Sequence, residues 1–334
     1  MQIVSLPTPL IDAYLAEARQ LLETGKIAEG SYFREQGTPF VPGRHSVPVA
    51  SGGAAIFGLL AFHRQASGRQ VAIVQSNTMR ALYTVPRLLG MDVQVVASSY
   101  EDFMAMNPAA LERQLAQRSV AKTAVVVYSV IGGYLAPSFQ RVRELCKQAG
   151  VPLIVDGAHA HYLDALVEDD YIDLAYSFYA TKVLPAGEGG LVACHDPERI
   201  AWLRRFMMYD RFSNELEIGL NLRAGELNAA LIHRLMTDRS LRAFFRDARL
   251  RVAERYRALC IEHNLRFLDP SAAADYNGYK LVVLDPRGAV AKLSSELTKH
   301  AATSAVFDTD VTGKPTALPH WCPPTYSSLS TAGP

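Results

Sequence analysis

The stretch LAYSFYATKVLPAGEGGLVAC, residues 174–194, decides how this chain is read. Two apolar runs, LAYSF (174–178) and GLVAC (190–194), have the composition of strands. Between them lies a turn that carries Lys182 and the segment Gly187-Glu188-Gly189-Gly190. A lysine that follows a strand and precedes the apolar turn Val183-Leu184-Pro185 is partly desolvated. Desolvation lowers the pKa of its amine and favours imine formation. The plain alternative is a solvated loop lysine. The glycines permit tight turns and close approach of backbone.

Outward from this stretch, the pattern is regular. VAIV (71–74), VQVV (93–96), TAVVVYS (123–129) and PLIVD (152–156) read as strands. Helix-like runs separate them: MRALYTVPRLLG, NPAALERQLAQ and SFQRVRELCKQAG, with Pro86 weakening the first. Alternating strand and helix predicts an α/β fold, a mostly parallel sheet between helices. The near-continuous Val and Ile runs fit strands buried on both faces. Ligands of such sheets sit beyond the carboxyl ends of the strands, so functional residues should follow the strands directly.

The flanks differ. IDAYLAEARQLLETG (11–25) is an amphipathic helix closed by Gly25, and GSYFREQGTPFVPGRHSV (30–47) reads as a loop. From residue 236 the texture changes. RSLRAFFRDARLRVAERYRALCIEHN (239–264) predicts one long charged helix, YNGYKLVVLDP (276–286) a strand, and the Pro- and Ser-rich 315–334 an irregular end. The chain therefore divides into a large domain, 1–235, with an N-terminal helical arm, and a smaller C-terminal α/β domain, 236–334.

Composition narrows the classes. Of 334 residues, 49% are hydrophobic and 20% charged, with a net charge of +1. That balance gives no electrostatic case for nucleic acid or an anionic membrane surface. Cys146, Cys194, Cys260 and Cys322 are far apart and form no C-x-x-C pair, so they read as incidental thiols rather than a disulfide or metal framework. The N-terminus lacks a signal-peptide pattern and no apolar run reaches membrane-spanning length, which predicts a cytoplasmic protein.

Other candidate residues follow the strands. PLIVD ends in Asp156, followed by Gly157, Ala158 and His159. A carboxylate at the exposed end of a buried strand needs a partner. One such partner is a protonated pyridine nitrogen, which the carboxylate would keep cationic; a helix N-cap or loop ion pair is the plainer one. Ser51-Gly52-Gly53 opens the run AAIFGLLAFH, and small residues at a helix start expose N–H groups to a phosphate. Ordinary capping by Ser51 needs no ligand. Neither G-x-G-x-x-G nor a Walker A sequence is present, so dinucleotide and nucleoside triphosphate readings lack their fingerprints.

The ordered set resembles the DegT/DnrJ/EryC1 family, often called sugar aminotransferases. The matching strings are VASGGAAI, VVYSVIGGYLA, LIVDGAHAHYLDA, AYSFYATKVLPAGEGGLVAC and EIGLNLRAGELNAALIHRLM, within residues 20–235. The resemblance implies a fold-type I enzyme that uses pyridoxal 5′-phosphate (PLP), with Lys182 as the Schiff-base lysine and proton shuttle. It implies that Asp156 pairs with the pyridinium nitrogen and that His159 lies near the ring hydroxyl. Gly52, Gly53 and Ser177 would hold the phosphate. Asn221 would reach the phosphate from a neighbouring subunit, making a homodimer with a shared site; its plain reading is a helix cap. The expected activity is transfer of an amino group from an amino-acid donor to a keto or aldehyde acceptor. Met79 stands where the family commonly stacks an aromatic ring on the cofactor, and Ser129 where it frequently has His. These departures motivate a PLP lyase, dehydratase or cyclase as the alternative. A non-catalytic PLP-fold protein is a third reading, and retention of Asp156, His159, Ser177 and Lys182 together counts against it.

Overall fold

The computed structural model describes residues 6–216 and 218–284. Cys322, the Pro- and Ser-rich end and the last two residues of the 276–286 run lie outside them.

Seven strands form the main sheet: β1 (His45–Val49), β2 (Val71–Gln75), β3 (Asp92–Val96), β4 (Ala124–Ser129), β5 (Leu153–Asp156), β6 (Ile172–Ser177) and β7 (Gly190–Cys194). Their order is β1-β7-β6-β5-β4-β2-β3. The five strands from β6 to β3 are parallel, as the alternating pattern predicted. Only β7 runs against its neighbours. The cause is the length of the quoted stretch. No helix fits between Ser177 and Gly190, and a parallel return needs a crossover, so the chain comes back antiparallel.

Period-two alternation divides the strand residues between two cores. Ile73, Val126, Tyr128, Leu153, Val155 and Leu174 face one apolar layer. Ala72, Val74, Val125, Val127, Ile154 and Ala175 face the other. The helices α1 (Thr8–Thr24), α2 (Gly52–Gln65), α3 (Ala81–Leu88), α4 (Pro108–Leu115), α5 (Phe139–Ala149), α6 (Pro197–Phe206) and α7 (Glu226–Thr237) cover these layers. α2 and α6 pack on the second layer, α4 and α5 on the first. α3 does form across Pro86, because that residue sits in its last turn and its carbonyl still accepts from Leu89 and Met91.

Three expectations need correction. The segment 30–47 is not all loop: His45 begins β1. Its Pro48 reads as a strand breaker but is tolerated at a sheet edge. That edge is covered by residues 222–224, with Ala50 donating to Leu222 O and Ala224 to Pro48 O. β3, at the other edge, is only partly buried. The single helix expected over 239–264 is a short turn Ser240–Arg242, a π-turn Ala243–Asp247, and then α8 (Ala248–Glu262). The following chain adds two short pairings, Arg266–Phe267 with Val283–Leu284 and Asp275–Tyr276 with Tyr134–Leu135. The second of these brings residues 275–280 over the carboxyl ends of the strands.

Candidate active site

Lys182 lies in the turn after β6, and its Nζ is 3.2 Å from Nε2 of His159, three residues beyond the end of β5. The other ring nitrogen, Nδ1, accepts from the Gly132 N–H at 3.2 Å. A neutral imidazole has one N–H. With Nδ1 accepting, the proton is on Nε2, which must donate to Nζ, and only an unprotonated amine can accept it. Electrostatics agree. Burial holds the Lys182 amine below an ordinary lysine, with the Asp156 carboxylate pulling it back up. His159 is held well below its ordinary value by burial, with Lys182, whenever it is protonated, and Lys280 adding to the shift.

Asp156 ends β5. Burial raises its carboxyl, while the Ala158 N–H, Lys182 and the Ser129 hydroxyl draw it down. Oδ1 accepts from Ala158 N at 3.1 Å and Oδ2 from Ser129 Oγ at 3.4 Å. Ser129 belongs to a buried polar chain: its Oγ is 2.5 Å from Thr78 Oγ1, and its N–H donates to Gln75 Oε1 at 3.0 Å. This chain ties the ends of β2 and β4 to Asp156. It also sets Met79, next to Thr78, at the rim, where its side chain is 65% exposed.

The small-residue helix start meets the lysine turn directly. Ser51 forms a parallel bridge with Gly189, and the Ser51 hydroxyl caps α2 by accepting from Ala54 N at 3.1 Å. A Cβ on Gly52 would lie 2.6 Å from Ser177 Cβ, and one on Gly190 only 2.2 Å from Ser51 O. Only glycine permits this approach. The N–H groups of Gly52 and Gly53, in the first turn of α2, precede its first intrahelical bond, and Gly52 lies against Ser177.

Residues 275–280 are functional neighbours that sequence reasoning missed. Asn277 is fully buried. Its Nδ2 donates to His159 O at 2.7 Å and His161 O at 2.9 Å, and its Oδ1 accepts from Tyr279 N at 3.0 Å. The Tyr279 ring rests on His159 with centroids 4.7 Å apart, and its hydroxyl donates to Thr181 O at 2.8 Å. Lys280 follows, its amine pushed down to about 8 by burial and by Lys182. The N-G-Y-K string carried the only sequence signal, a turn. Asn221 does not join this cluster: it is exposed, and its Oδ1 accepts from Arg223 Nη1 at 2.7 Å.

The sequence model of the DegT/DnrJ/EryC1/StrS aminotransferase family matches residues 10–315. The chain belongs to that family. Relatives within reach of alignment include an L-glutamine:2-deoxy-scyllo-inosose aminotransferase of Streptomyces paromomycinus, 30% identical over 158 residues, 46% of this chain and 35% of that one. The chain spans less than half the length of the curated relatives it matches. Among solved structures, a DegT/DnrJ/EryC1/StrS aminotransferase from Brucella abortus superposes with a TM-score of 0.76 at 18% identity, covering 99% of this chain and 96% of that one. NtdA of Bacillus subtilis, solved with bound cofactor PMP, gives 0.73 at 18% identity, covering 95% and 75%. These neighbours share the fold-type I architecture, and the DegT/DnrJ/EryC1/StrS chain described here has its mostly parallel sheet. Among the described residues no helix is long and apolar enough to cross a membrane.

Proposed function

We propose that this chain is a PLP-dependent aminotransferase that moves an amino group from an amino-acid donor to a keto or aldehyde acceptor, a keto-sugar or other natural-product intermediate. The observation that carries the reading is the 3.2 Å contact of Lys182 Nζ with His159 Nε2, with the Lys182 amine held below an ordinary lysine by burial and pulled back up by its neighbour Asp156, and with the glycine start of α2 packed against Ser177. These residues fit the cofactor. An amine kept neutral is ready to form an imine, a desolvated carboxylate is satisfied by a cationic ring nitrogen, and a glycine-lined helix start takes a phosphate.

PLP, when bound, supplies an electron sink for charge developing at the substrate α-carbon. The chain's own residues do the rest. Lys182 would hold the cofactor aldehyde and, once released, take a proton from the α-carbon on Nζ. His159 would donate to Nζ and so disfavour its protonation, and would stand near the ring hydroxyl. Asp156, steadied by Ser129 and the Ala158 N–H, would keep a proton on the ring nitrogen. Gly52, Gly53 and Ser177 would hold the phosphate, with Ser51 fixing the helix start. Met79 would cover the ring from the rim.

We further propose a homodimer in which Asn221 serves the partner's phosphate. Its exposure away from its own chain's Lys182 supports this, as do the exposed Met79, Tyr209 and Phe212. A cytoplasmic location and a division into 1–235 and 236–334 complete the reading; α8 and the pairing of Arg266–Phe267 with Val283–Leu284 support the second unit.

The deciding experiment loads the protein with PLP, reduces it with borohydride and maps the pyridoxyl peptide. Label on Lys182 is expected; label on another lysine, or none, overturns the reading. Formation of 2-oxoglutarate from glutamate in step with acceptor amination is expected of a transferase, and loss of water or a side-chain group without amino exchange points to a lyase instead.

A further inference from the structure

Any amino-acid donor that reacts at Lys182 brings its α-carbon to Nζ, and its α-carboxylate then lies one bond away. That carboxylate needs a cation close to Lys182 but separate from it, because the Lys182 amine is occupied with the proton. The charged groups around His159 and Lys182 include one such side chain from a distant part of the sequence. Lys280 is tied over the site by its backbone, with its N–H donating to Gly132 O at 3.0 Å and its carbonyl accepting from Tyr276 OH at 2.9 Å. The same Gly132 donates to His159 Nδ1. The Lys280 Nζ stands 5.3 Å from the centroid of the Tyr279 ring, and that ring packs on His159, whose Nε2 meets Lys182. Lys280, Tyr279, His159 and Lys182 are thus one contiguous set. The Lys280 side chain is half-buried, its charge lowers His159, and Lys182 in turn lowers Lys280. An aromatic face beside the ammonium holds it in place, and its partial desolvation strengthens its attraction for an incoming anion.

We infer that Lys280 is the residue that receives the α-carboxylate of the amino-acid donor. The inference rests on the aminotransferase reading and specifies which side chain selects an α-amino acid over a simple amine. Lysine suits the task because its ammonium is a compact point charge on a flexible stem that can follow the carboxylate between the free and reacting positions.

The test uses the full chain loaded with PLP and the probe 2-methyl-L-glutamate. This amino acid has no α-proton and stops at binding, so its dissociation constant is read from cofactor absorbance rather than from turnover. Losing one charge-assisted hydrogen bond predicts binding about 10- to 100-fold weaker in Lys280→Met, with Lys280→Arg recovering most of it. In the half-reaction with L-glutamate, Lys280→Met should raise the half-saturating concentration far more than it lowers the limiting rate. Lys280→Gln serves as a second neutral variant. A measurement on the unmodified sequence backs both: saturating 2-methyl-L-glutamate should slow acetylation of Lys280 by acetic anhydride, read by mass spectrometry. Unchanged affinity in the neutral variants, or unprotected acetylation, with the borohydride label still on Lys182, overturns the role of Lys280 alone. Absence of the Lys182 label overturns the underlying reading and this inference with it.

Discussion

Asn277 offers the sharpest test of how the segment over the site is held. Its amide makes three buried hydrogen bonds, two as donor to the carbonyls of His159 and His161 and one as acceptor from Tyr279 N. Asn277→Ala removes all three and leaves two carbonyls and an N–H without these partners. At about 1 kcal/mol for each bond, plus part of the desolvation cost of the orphaned groups, the loss should be about 3–5 kcal/mol. For a chain of this size that lowers the urea midpoint by roughly 1 M or more. Asn277→Asp is more telling, because it keeps the shape. It sets a carboxylate oxygen where the NH2 group faces two carbonyl oxygens at 2.7 and 2.9 Å. Acceptor against acceptor in a buried position should make the Asp variant less stable than the Ala variant by about 2 kcal/mol, although Asp is the closer isostere. The assay is urea unfolding followed by tryptophan fluorescence, with hydrogen exchange at the Tyr279 amide as the local readout. If Asn277→Asp is as stable as the parent, or more stable than Asn277→Ala, the segment is not hung on this amide and the argument fails.

Two further outcomes follow from contacts elsewhere. Gly52→Ala places a Cβ 2.6 Å from Ser177 Cβ, whereas the nearest atom to a Cβ on Gly53 is Ser51 Oγ at 3.6 Å. Gly52→Ala should therefore cost about 1–3 kcal/mol and weaken PLP in an absorbance titration, while Gly53→Ala stays near the parent in stability; equal effects would show that the α2 start is not tightly packed. Asp173, buried between Arg199 and His63, is raised by burial, but its bonds and charge partners outweigh this and hold it below its ordinary value. A depressed carboxyl stabilises the fold above its unfolded pKa and loses that contribution as pH falls through the folded value. Acid unfolding below about pH 4 should accordingly be less steep in Asp173→Asn, and an unchanged acid limb would refute the linkage.

The positions of Asp156 and Ser177 at the ends of buried strands, of Lys182 in the turn after one, and of Ser51-Gly52-Gly53 at the start of a helix could be anticipated from sequence, because the sheet defines each of these places. The run of Val and Ile announces the strand, and the polar residue that stops it announces the site. β1 escaped notice because Pro48 imitates a loop, and the π-turn over 243–247 because one extra residue in a turn barely disturbs a helical pattern. The residues missed at the site share a different trait. Asn277 holds the carbonyls of His159 and His161, Gly132 holds His159 Nδ1 through its N–H, and Lys280 is fixed through its own backbone to Gly132. Contacts to backbone atoms place no demand on the type of residue contacted, so nothing in LIVDGAHAH or VIGGYLA signals that a segment more than a hundred residues later will bond to it. Yet those contacts decide the chemistry. The Gly132 N–H favours the His159 tautomer with its proton on Nε2, and a donor there, 3.2 Å from Nζ, favours the neutral form of the Lys182 amine. The reactive setting of Lys182 can be anticipated from its neighbours in sequence; that its amine faces an imidazole oriented by a backbone amide fifty residues away cannot.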